Sequence, residues 1–370
     1  MVFKEKNLSF KINNFDLIRL FAALQVAFHH TVHHLSINNS YILKISKFLS
    51  IFPGVPVFFI ISGFLISASY ERNKNIKQYF LNRFFRIYPA LWVGLFFSMF
   101  ILFYFGFFCK NFINQGLLWF FCQATFFQFY TADFLRSFGV GAVNGSLWTI
   151  TVEIQFYLLI PILYFFSRKI VRNENLGFIL LIILAASVYI FYRKFGETGL
   201  HVSATIENLK LDNSFFIKLF HVTIFPHIYL FLLGVFARKY WNFFQRILKG
   251  NFFYFIVSYI FLYYFFGDYF VFGTNSPNPL TAILLACLVV SAAYSFPSLS
   301  DKCLKGRDLS YGIYIYHMLV VNFVYQMGCF YKLQYLFLAL LITIMLASIS
   351  WYFIEKPFLK RKKKTLHAVK

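Results

Sequence analysis

The chain has 370 residues, of which 60% are hydrophobic and only 13% are charged, and 56 of them are phenylalanine. This composition lies outside the range of soluble globular proteins. Several apolar runs reach the roughly 20 residues that a helix needs to cross the hydrocarbon core of a membrane. The sequence therefore predicts an all-α, polytopic transmembrane bundle and excludes a soluble enzyme.

Ten spans can be placed along the chain, and the basic residues between them set its orientation. With the N-terminus inside, the inner segments hold 25 Lys and Arg residues and the outer segments hold six. This bias follows the positive-inside rule and predicts that both termini are cytoplasmic. It also accounts for the net charge of +22 without a nucleic-acid partner. The predicted spans are 15–35, 50–70, 89–108, 147–166, 176–195, 218–237, 252–272, 279–297, 309–330 and 333–354.

The first span carries an ionisable pair at two depths, Arg19 near its inner end and His30 near its outer end. Such residues are costly inside a membrane, so they indicate a functional site. Eleven residues of α-helix turn through about 1100° and rise about 16 Å, which puts both side chains on one face. A guanidinium low in the membrane and an imidazole high in it suit a ligand with an anionic head and a reactive end on a long arm. Coenzyme A is such a ligand.

Arg83 and Arg86 lie three residues apart between the second and third predicted spans, on the cytoplasmic side. In a helix they would share a face. Guanidinium groups bind phosphate in a planar, often bidentate manner. Together with Arg19 they predict a pocket for the phosphates of a nucleotide head. The alternative is that they only anchor a span at the cytoplasmic surface.

Glu153 is the one carboxylate of the fourth predicted span. By helix rise, Glu153 and His30 lie about 21 and 22 Å above the cytoplasmic face. The matching depths predict an imidazole oriented by a carboxylate, which is the general base of many acyl transfers. The alternative is a structural Glu bonded to the backbone or to a hydroxyl.

Further histidines surround this site. His29, His30, His33 and His34 contain two i, i+4 pairs, but no matching second set of zinc ligands is found, so no metal site is predicted. His317, in the ninth span, lies about 12 Å above the inner face by helix rise. His317 either lines the path of the pantetheine arm or bonds to a neighbouring helix.

These motifs together resemble the membrane-bound acyltransferase family 3, which O-acetylates bacterial surface glycans. The resemblance implies that His30 is the essential histidine and that Arg19, Arg83 and Arg86 serve acyl-CoA binding. Glu153 falls on an acidic position of the family pattern. Four segments carry the resemblance: the helix from Arg19 to His30, Gly54 to Leu65 followed by Arg83-x-x-Arg86-Ile-Tyr-Pro89, Ser146-Leu-Trp through Glu153-x-x-Phe156-Tyr-Leu, and Ile354-Glu-Lys-Pro-Phe358.

Three positions depart from the family pattern. The basic segment often begins with paired arginines where this chain has Asn82-Arg83, and the acidic segment often carries a second Glu where this chain has Ile154. Pro56 stands where a small or acidic residue is common. None of these changes removes a residue that the predicted mechanism needs. They do affect the predicted phosphate contacts.

The sequence predicts a membrane domain at 1–358 and a basic cytoplasmic tail at 359–370. The expected enzyme is an integral O-acyltransferase of the bacterial inner membrane, with the lipid bilayer as its environment. It would move an acetyl group from cytoplasmic acyl-CoA to a hydroxyl of a surface or lipid-linked glycan, with no bound cofactor. Direct attack and a covalent acyl-His relay both stay open. The rival function is a transporter or flippase for an anionic lipid-linked saccharide.

Overall fold

A computed structural model shows a helical protein. Every regular element among the described residues is a helix, which confirms the predicted all-α class. The predicted span at 176–195 and the basic tail at 359–370 fall largely outside the described residues. The structure describes residues 13–72, 75–107, 115–169, 219–270, 277–296 and 298–360, with Asn275 and scattered positions between 176 and 190.

The helices are numbered here in chain order. A single 3-10 turn, Gly145–Leu147, leads into α6, and a π-helical turn, Trp351–Glu355, continues α13. The bounds are α1 (Phe15–His34), α2 (Ser40–Leu49), α3 (Gly54–Arg72), α4 (Ile76–Tyr104), α5 (Leu117–Ala124), α6 (Trp148–Lys169), α7 (Ile228–Lys239), α8 (Trp241–Leu248), α9 (Phe252–Phe270), α10 (Pro279–Ser295), α11 (Leu299–Leu304), α12 (Ser310–Gln326) and α13 (Leu333–Ser350).

Fewer helices than predicted are long and apolar enough to cross a membrane by themselves. Helices α8 and α9 would form one further span, although they are bent by 82°. Helix α7 has only 12 residues because a 3-10 turn containing Pro226 precedes it. The count of ten spans and the cytoplasmic termini therefore stay predictions. Within the described ranges, four stretches meet the test: Ser40–Arg72, Ile76–Tyr104, Gly145–Phe166 and Leu333–Lys360.

Helix α4 begins earlier than predicted. The predicted span starts at Pro89, whereas the helix starts at Ile76 and continues through Pro89 to Tyr104. A proline removes one backbone hydrogen bond, but packed neighbours can compensate for that loss in a membrane helix. Arg83 and Arg86 consequently belong to the same helix as the span and not to a separate connecting segment.

Close contacts between small residues bring the central helices together. A Cβ on Gly63 of α3 would lie 2.0 Å from the Phe231 carbonyl oxygen of α7, so the two backbones touch. Ala23 and Ala27 of α1 pack with Ile313 of α12 in one buried cluster. These contacts place α1 between α3 and α12, with its polar residues facing both.

Candidate active site

The start of α1 is tied to the loop that follows α10. The Asn14 side chain donates to the Phe296 carbonyl at 2.5 Å and accepts from the Ser300 N–H at 2.8 Å. Asn14 is 2% exposed, so both bonds are buried and the amide has few other partners. This anchor fixes the depth of α1 and therefore the positions of Arg19 and His30 along it.

His30 is paired with His317 across the contact between α1 and α12. His30 Nδ1 lies 3.0 Å from His317 Nε2, and the two rings stack with centroids 5.2 Å apart. His317 Nδ1 lies 2.8 Å from the Tyr314 carbonyl oxygen and 3.2 Å from that of Ile313. His317 is fully buried. The predicted bond of His317 to a neighbouring helix is therefore present, and its partner is His30.

The hydrogen bonds fix the tautomers of both rings when they are neutral. A carbonyl oxygen only accepts, so His317 Nδ1 must carry the proton and His317 Nε2 must accept. His30 Nδ1 then donates to His317 Nε2, which leaves His30 Nε2 without a proton. His30 Nε2 has no protein partner among the described residues. The pair thus leaves one basic nitrogen available to a ligand.

His30 lines a cavity that we call the histidine cavity. Its volume is about 290 Å³, at the lower end of the range for small-ligand sites. Gln25 lines the same cavity, as does the segment around Gly145 that leads into α6. Its other polar or aromatic lining residues include His29, His34, Ser146 and Trp148.

Glu153 is not in contact with His30. The Glu153 carboxylate accepts from the Tyr157 hydroxyl at 2.6 Å and from the Ser62 hydroxyl at 3.2 Å. It lines a second, smaller cavity of about 70 Å³ together with Arg19 and Arg86, which we call the arginine cavity. The predicted orientation of His30 by Glu153 is therefore replaced by the pairing with His317. Matching depth does not fix which way α6 is rotated about its axis.

Arg19 and Arg86 converge on a carboxylate that the sequence reasoning missed, Asp308. Arg86 lies 2.6 Å from Asp308 Oδ2, and Arg19 lies 3.7 Å from the same oxygen. Arg19 also contacts Asp16, one turn earlier on α1. The Ser310 hydroxyl donates to Asp308 at 2.5 Å. The two arginines therefore already hold carboxylates in this structure.

These neighbours lower the pKa of the Asp308 carboxyl and favour its ionised form. Burial alone would raise the pKa of the Asp308 carboxyl, but Arg86, Arg19 and the Ser310 hydroxyl lower it by more. The sequence does carry a signal for this residue, since Asp followed by Ser just before an apolar run is typical of a helix start. That signal predicts a helix cap and gives no indication of an arginine partner.

Arg83 lies apart from the other two arginines. Its guanidinium donates to the Ser69 hydroxyl at 3.3 Å and sits 5.6 Å from the centre of the Tyr157 ring. Arg83 has no carboxylate partner among the described residues, and its buried Nε atom makes no hydrogen bond. Tyr157 thus links Arg83 to Glu153, and the predicted cluster of three arginines divides into a pair and a single residue.

The remaining histidines of α1 lie toward its C-terminal end. His29 Nδ1 lies 3.1 Å from the Ser46 hydroxyl of α2, and the His29 and His33 rings stack at 6.5 Å. In the part of the chain that the structure describes, no group of three His, Cys, Asp or Glu side chains could hold a metal ion.

Comparisons with known proteins place this site in a family. The profile of an acyltransferase domain, that of family 3, matches residues 12–355. Nodulation protein 10 of Rhizobium leguminosarum bv. viciae is 31% identical over 374 residues, which cover 94% of this chain and 93% of that protein. An O-acetyl transferase of Shigella phage Sf6 is 25% identical over 364 residues, or 95% and 97% of the two chains.

A shorter match links the chain to a cell-wall enzyme. The peptidoglycan O-acetyltransferase OatA of Listeria monocytogenes is 32% identical over 136 residues, which cover 34% of this chain and 21% of that protein. No solved structure matches. The family profile spans every residue of both cavities and several apolar helices. The chain therefore belongs to acyltransferase family 3 and is a multi-pass membrane acyltransferase, not the transporter considered as its rival.

Proposed function

We propose that the protein transfers an acetyl group from acetyl-CoA to a hydroxyl of a surface or lipid-linked polysaccharide. The observation that carries the proposal is the His30–His317 pair, which leaves a basic nitrogen at a cavity of suitable size. Two relatives are named as O-acetyl transferases, one of them acting on peptidoglycan, which supports a glycan acceptor. The bacterial inner membrane is the location that fits this chemistry.

The chemistry at His30 is general base catalysis. Nε2 takes the proton of the acceptor hydroxyl while the hydroxyl oxygen attacks the thioester carbonyl carbon. The tetrahedral intermediate then collapses, the carbon–sulfur bond breaks, and the proton passes from His30 to the leaving sulfur. The products are an O-acetyl ester and free coenzyme A. His317 holds His30 in the required tautomer and accepts from Nδ1 throughout.

Direct transfer needs both substrates to be bound together. It predicts neither an acylated enzyme nor a burst of product, whereas an acyl-His relay predicts both. We favour direct transfer because the histidine cavity is large enough for an acetyl thioester and one sugar hydroxyl. A quench experiment with labelled acetyl-CoA and no acceptor distinguishes the two routes.

The donor would reach His30 from the arginine side. The two cavities share Val55 and Tyr314 as lining residues, so they adjoin each other. The arginine cavity, at about 70 Å³, is far too small for a nucleotide and would have to widen to admit the pantetheine arm. The nucleotide head would then stay outside, near Arg19 and Arg83.

Phosphate binding at Arg19 requires an exchange of anions. The Asp16 side chain is 48% exposed, whereas the side chain of Asp308 is 10% exposed. A donor phosphate can therefore displace Asp16 from Arg19 and leave Asp308 in place between the two arginines. Arg83, which has no carboxylate to exchange, is the second phosphate contact. Glu153 keeps Tyr157 in position beneath Arg83 and so supports donor binding rather than proton transfer.

The experiment is transfer of radiolabelled acetyl from acetyl-CoA to surface glycan in membranes. His30→Ala should abolish the label at equal protein abundance. The matched control is His33→Ala, since His33 is on the same helix but is exposed and does not line the cavity. It should keep wild-type transfer. Label that survives in His30→Ala would contradict the role of His30, and the absence of label in the wild type would contradict the donor or the acceptor.

A further inference from the structure

The Gln25 carboxamide occupies an unusual position in the histidine cavity. Its oxygen accepts from the Gly54 N–H at 3.1 Å, which is the first amide of α3. Gln25 is 7% exposed and lines the cavity together with His30. The amide nitrogen makes no hydrogen bond to any described residue. This nitrogen is not among the buried atoms that lack a partner, so it is accessible from the cavity and free to donate to a ligand there.

Gly54 holds this carboxamide in one orientation. A Cβ at Gly54 would lie 2.8 Å from the Gln25 oxygen and 2.6 Å from the Ala22 carbonyl oxygen. Only glycine therefore allows α3 to approach α1 closely enough for the Gly54 N–H to bind the carboxamide oxygen. The oxygen of Gln25 accepts from this backbone donor, so the nitrogen is the atom left for the cavity. The carboxamide is a preorganised N–H donor.

The position of Gln25 along α1 relates it to the acyl donor. Gln25 lies five residues before His30, about 7.5 Å closer to the end of α1 that carries Arg19. In the proposed function the thioester arrives from that end and the hydroxyl from the other. The cavity next to Gln25 is therefore where the thioester carbonyl would lie, while the hydroxyl proton faces His30.

We propose that Gln25 is a catalytic residue that binds the carbonyl oxygen of the acyl donor. This inference rests on the proposed function. When the hydroxyl oxygen attacks, the carbonyl π electrons move to that oxygen, and the Gln25 N–H donates to the resulting oxyanion. When the carbon–sulfur bond breaks, the double bond reforms and the hydrogen bond weakens. A fixed donor of this kind stabilises the transition state more than the ground state.

The test measures kcat and KM for acetyl-CoA in two variants of Gln25. Gln25→Met removes the amide, and Gln25→Glu keeps an oxygen acceptor for the Gly54 N–H but replaces the amide nitrogen. Both should lower kcat by about 100-fold, the usual effect of losing one oxyanion donor, with KM changed less than about threefold. The matched control is Gln123→Met. Gln123 is equally buried, but its nitrogen already donates to the backbone carbonyls of Gln128 and Tyr130, so kcat should stay at the wild-type value.

The outcomes separate this inference from the function on which it rests. A role only in capping α3 predicts wild-type kcat for Gln25→Glu, because that variant keeps the acceptor, and this result would overturn the inference. A fall confined to KM would also overturn it. If Gln25→Met does not accumulate in the membrane, the value of kcat for Gln25→Glu, measured at the same protein abundance as the wild type, still tests the inference. If the wild type itself transfers no acetyl, the proposed function fails and the role of Gln25 falls with it, whereas wild-type kcat in Gln25→Glu overturns the role of Gln25 alone.

Discussion

The two cavities along α1 differ in the kind of polar group that they contain. The histidine cavity is lined by imidazoles and a carboxamide: the His30 ring pairs with the buried His317 ring, and the Gln25 carboxamide is fixed by a backbone amide. The arginine cavity holds charges, with Arg19 and Arg86 sharing Asp308 and with Glu153 beside them. Neutral, fixed donors and acceptors suit proton transfer, whereas charges suit the recognition of an anion. Chemistry and donor binding are thus assigned to different cavities on one helix.

The largest expected effect is on the rate and comes from breaking the histidine pair. His317→Phe removes the acceptor for His30 Nδ1, so the tautomer is no longer fixed. We expect kcat to fall by about 10³-fold, within the range for losing an orienting partner of a catalytic histidine. KM for acetyl-CoA should change little. Steady-state acetyl transfer at equal membrane abundance checks this prediction.

A conservative variant sharpens the same comparison. Gln at 317 supplies an amide oxygen that can accept from His30 Nδ1. His317→Gln should therefore recover at least about tenfold of the rate lost in His317→Phe. If both variants are equally slow, or if both retain wild-type kcat, the orienting role of His317 is wrong.

The next largest expected effect is on the stability of the folded protein, and it comes from the ion pairs beside the arginine cavity. Asp308→Asn leaves Arg86 buried without its ionic partner and weakens the contact with Arg19. Hydrogen bonds to charged groups contribute about 1.5–3 kcal/mol, so we expect a loss of about 2 kcal/mol in the free energy of unfolding. Thermal unfolding of the purified protein in detergent measures it. Asp301→Asn, at an exposed site on α11, is the control and should leave the unfolding temperature unchanged. An unchanged unfolding temperature in Asp308→Asn would contradict the structural role of this ion pair.

The smallest effect is on donor affinity. Arg83→Gln removes the guanidinium that has no carboxylate partner among the described residues, so it should raise KM for acetyl-CoA by about tenfold, equal to about 1.4 kcal/mol. The value of kcat should stay within about threefold of wild type. Arg136→Gln is the control because Arg136 is exposed, pairs with Asp133 and lines neither cavity. A fall in kcat without a change in KM would place Arg83 in the chemistry.

The spacing along the sequence predicts which polar residues share α1, but it does not predict their partners on other helices. Composition is enough for the helical class, and the 11-residue spacing is enough to place Arg19 and His30 on one helix. Depth, however, is a single coordinate. Glu153 matches His30 in predicted depth, yet it bonds to Ser62 and Tyr157, because the rotation of α6 depends on packing that no spacing reveals.

Three other features could be predicted from the sequence only in part. The sequence around Asp308 is typical of a helix start. Its long-range pairing with Arg86, however, depends on the packing of α4 against α12. The predicted third span starts at Pro89, whereas the helix starts at Ile76 and continues through Pro89, so Arg83 and Arg86 belong to that helix. His317 was predicted either to line a path or to bond a neighbouring helix, and the structure identifies its partner.

The most direct test of the account compares two variants in one acetyl-transfer assay, His317→Phe and Glu153→Gln. If the histidine pair is the chemical centre, His317→Phe lowers kcat by about 10³-fold and Glu153→Gln by less than about tenfold. The Glu153 variant should act mainly through KM, because its carboxylate holds Tyr157 beneath Arg83. The reverse order, with kcat lost in Glu153→Gln and kept in His317→Phe, would contradict the account and favour the carboxylate as the partner of His30.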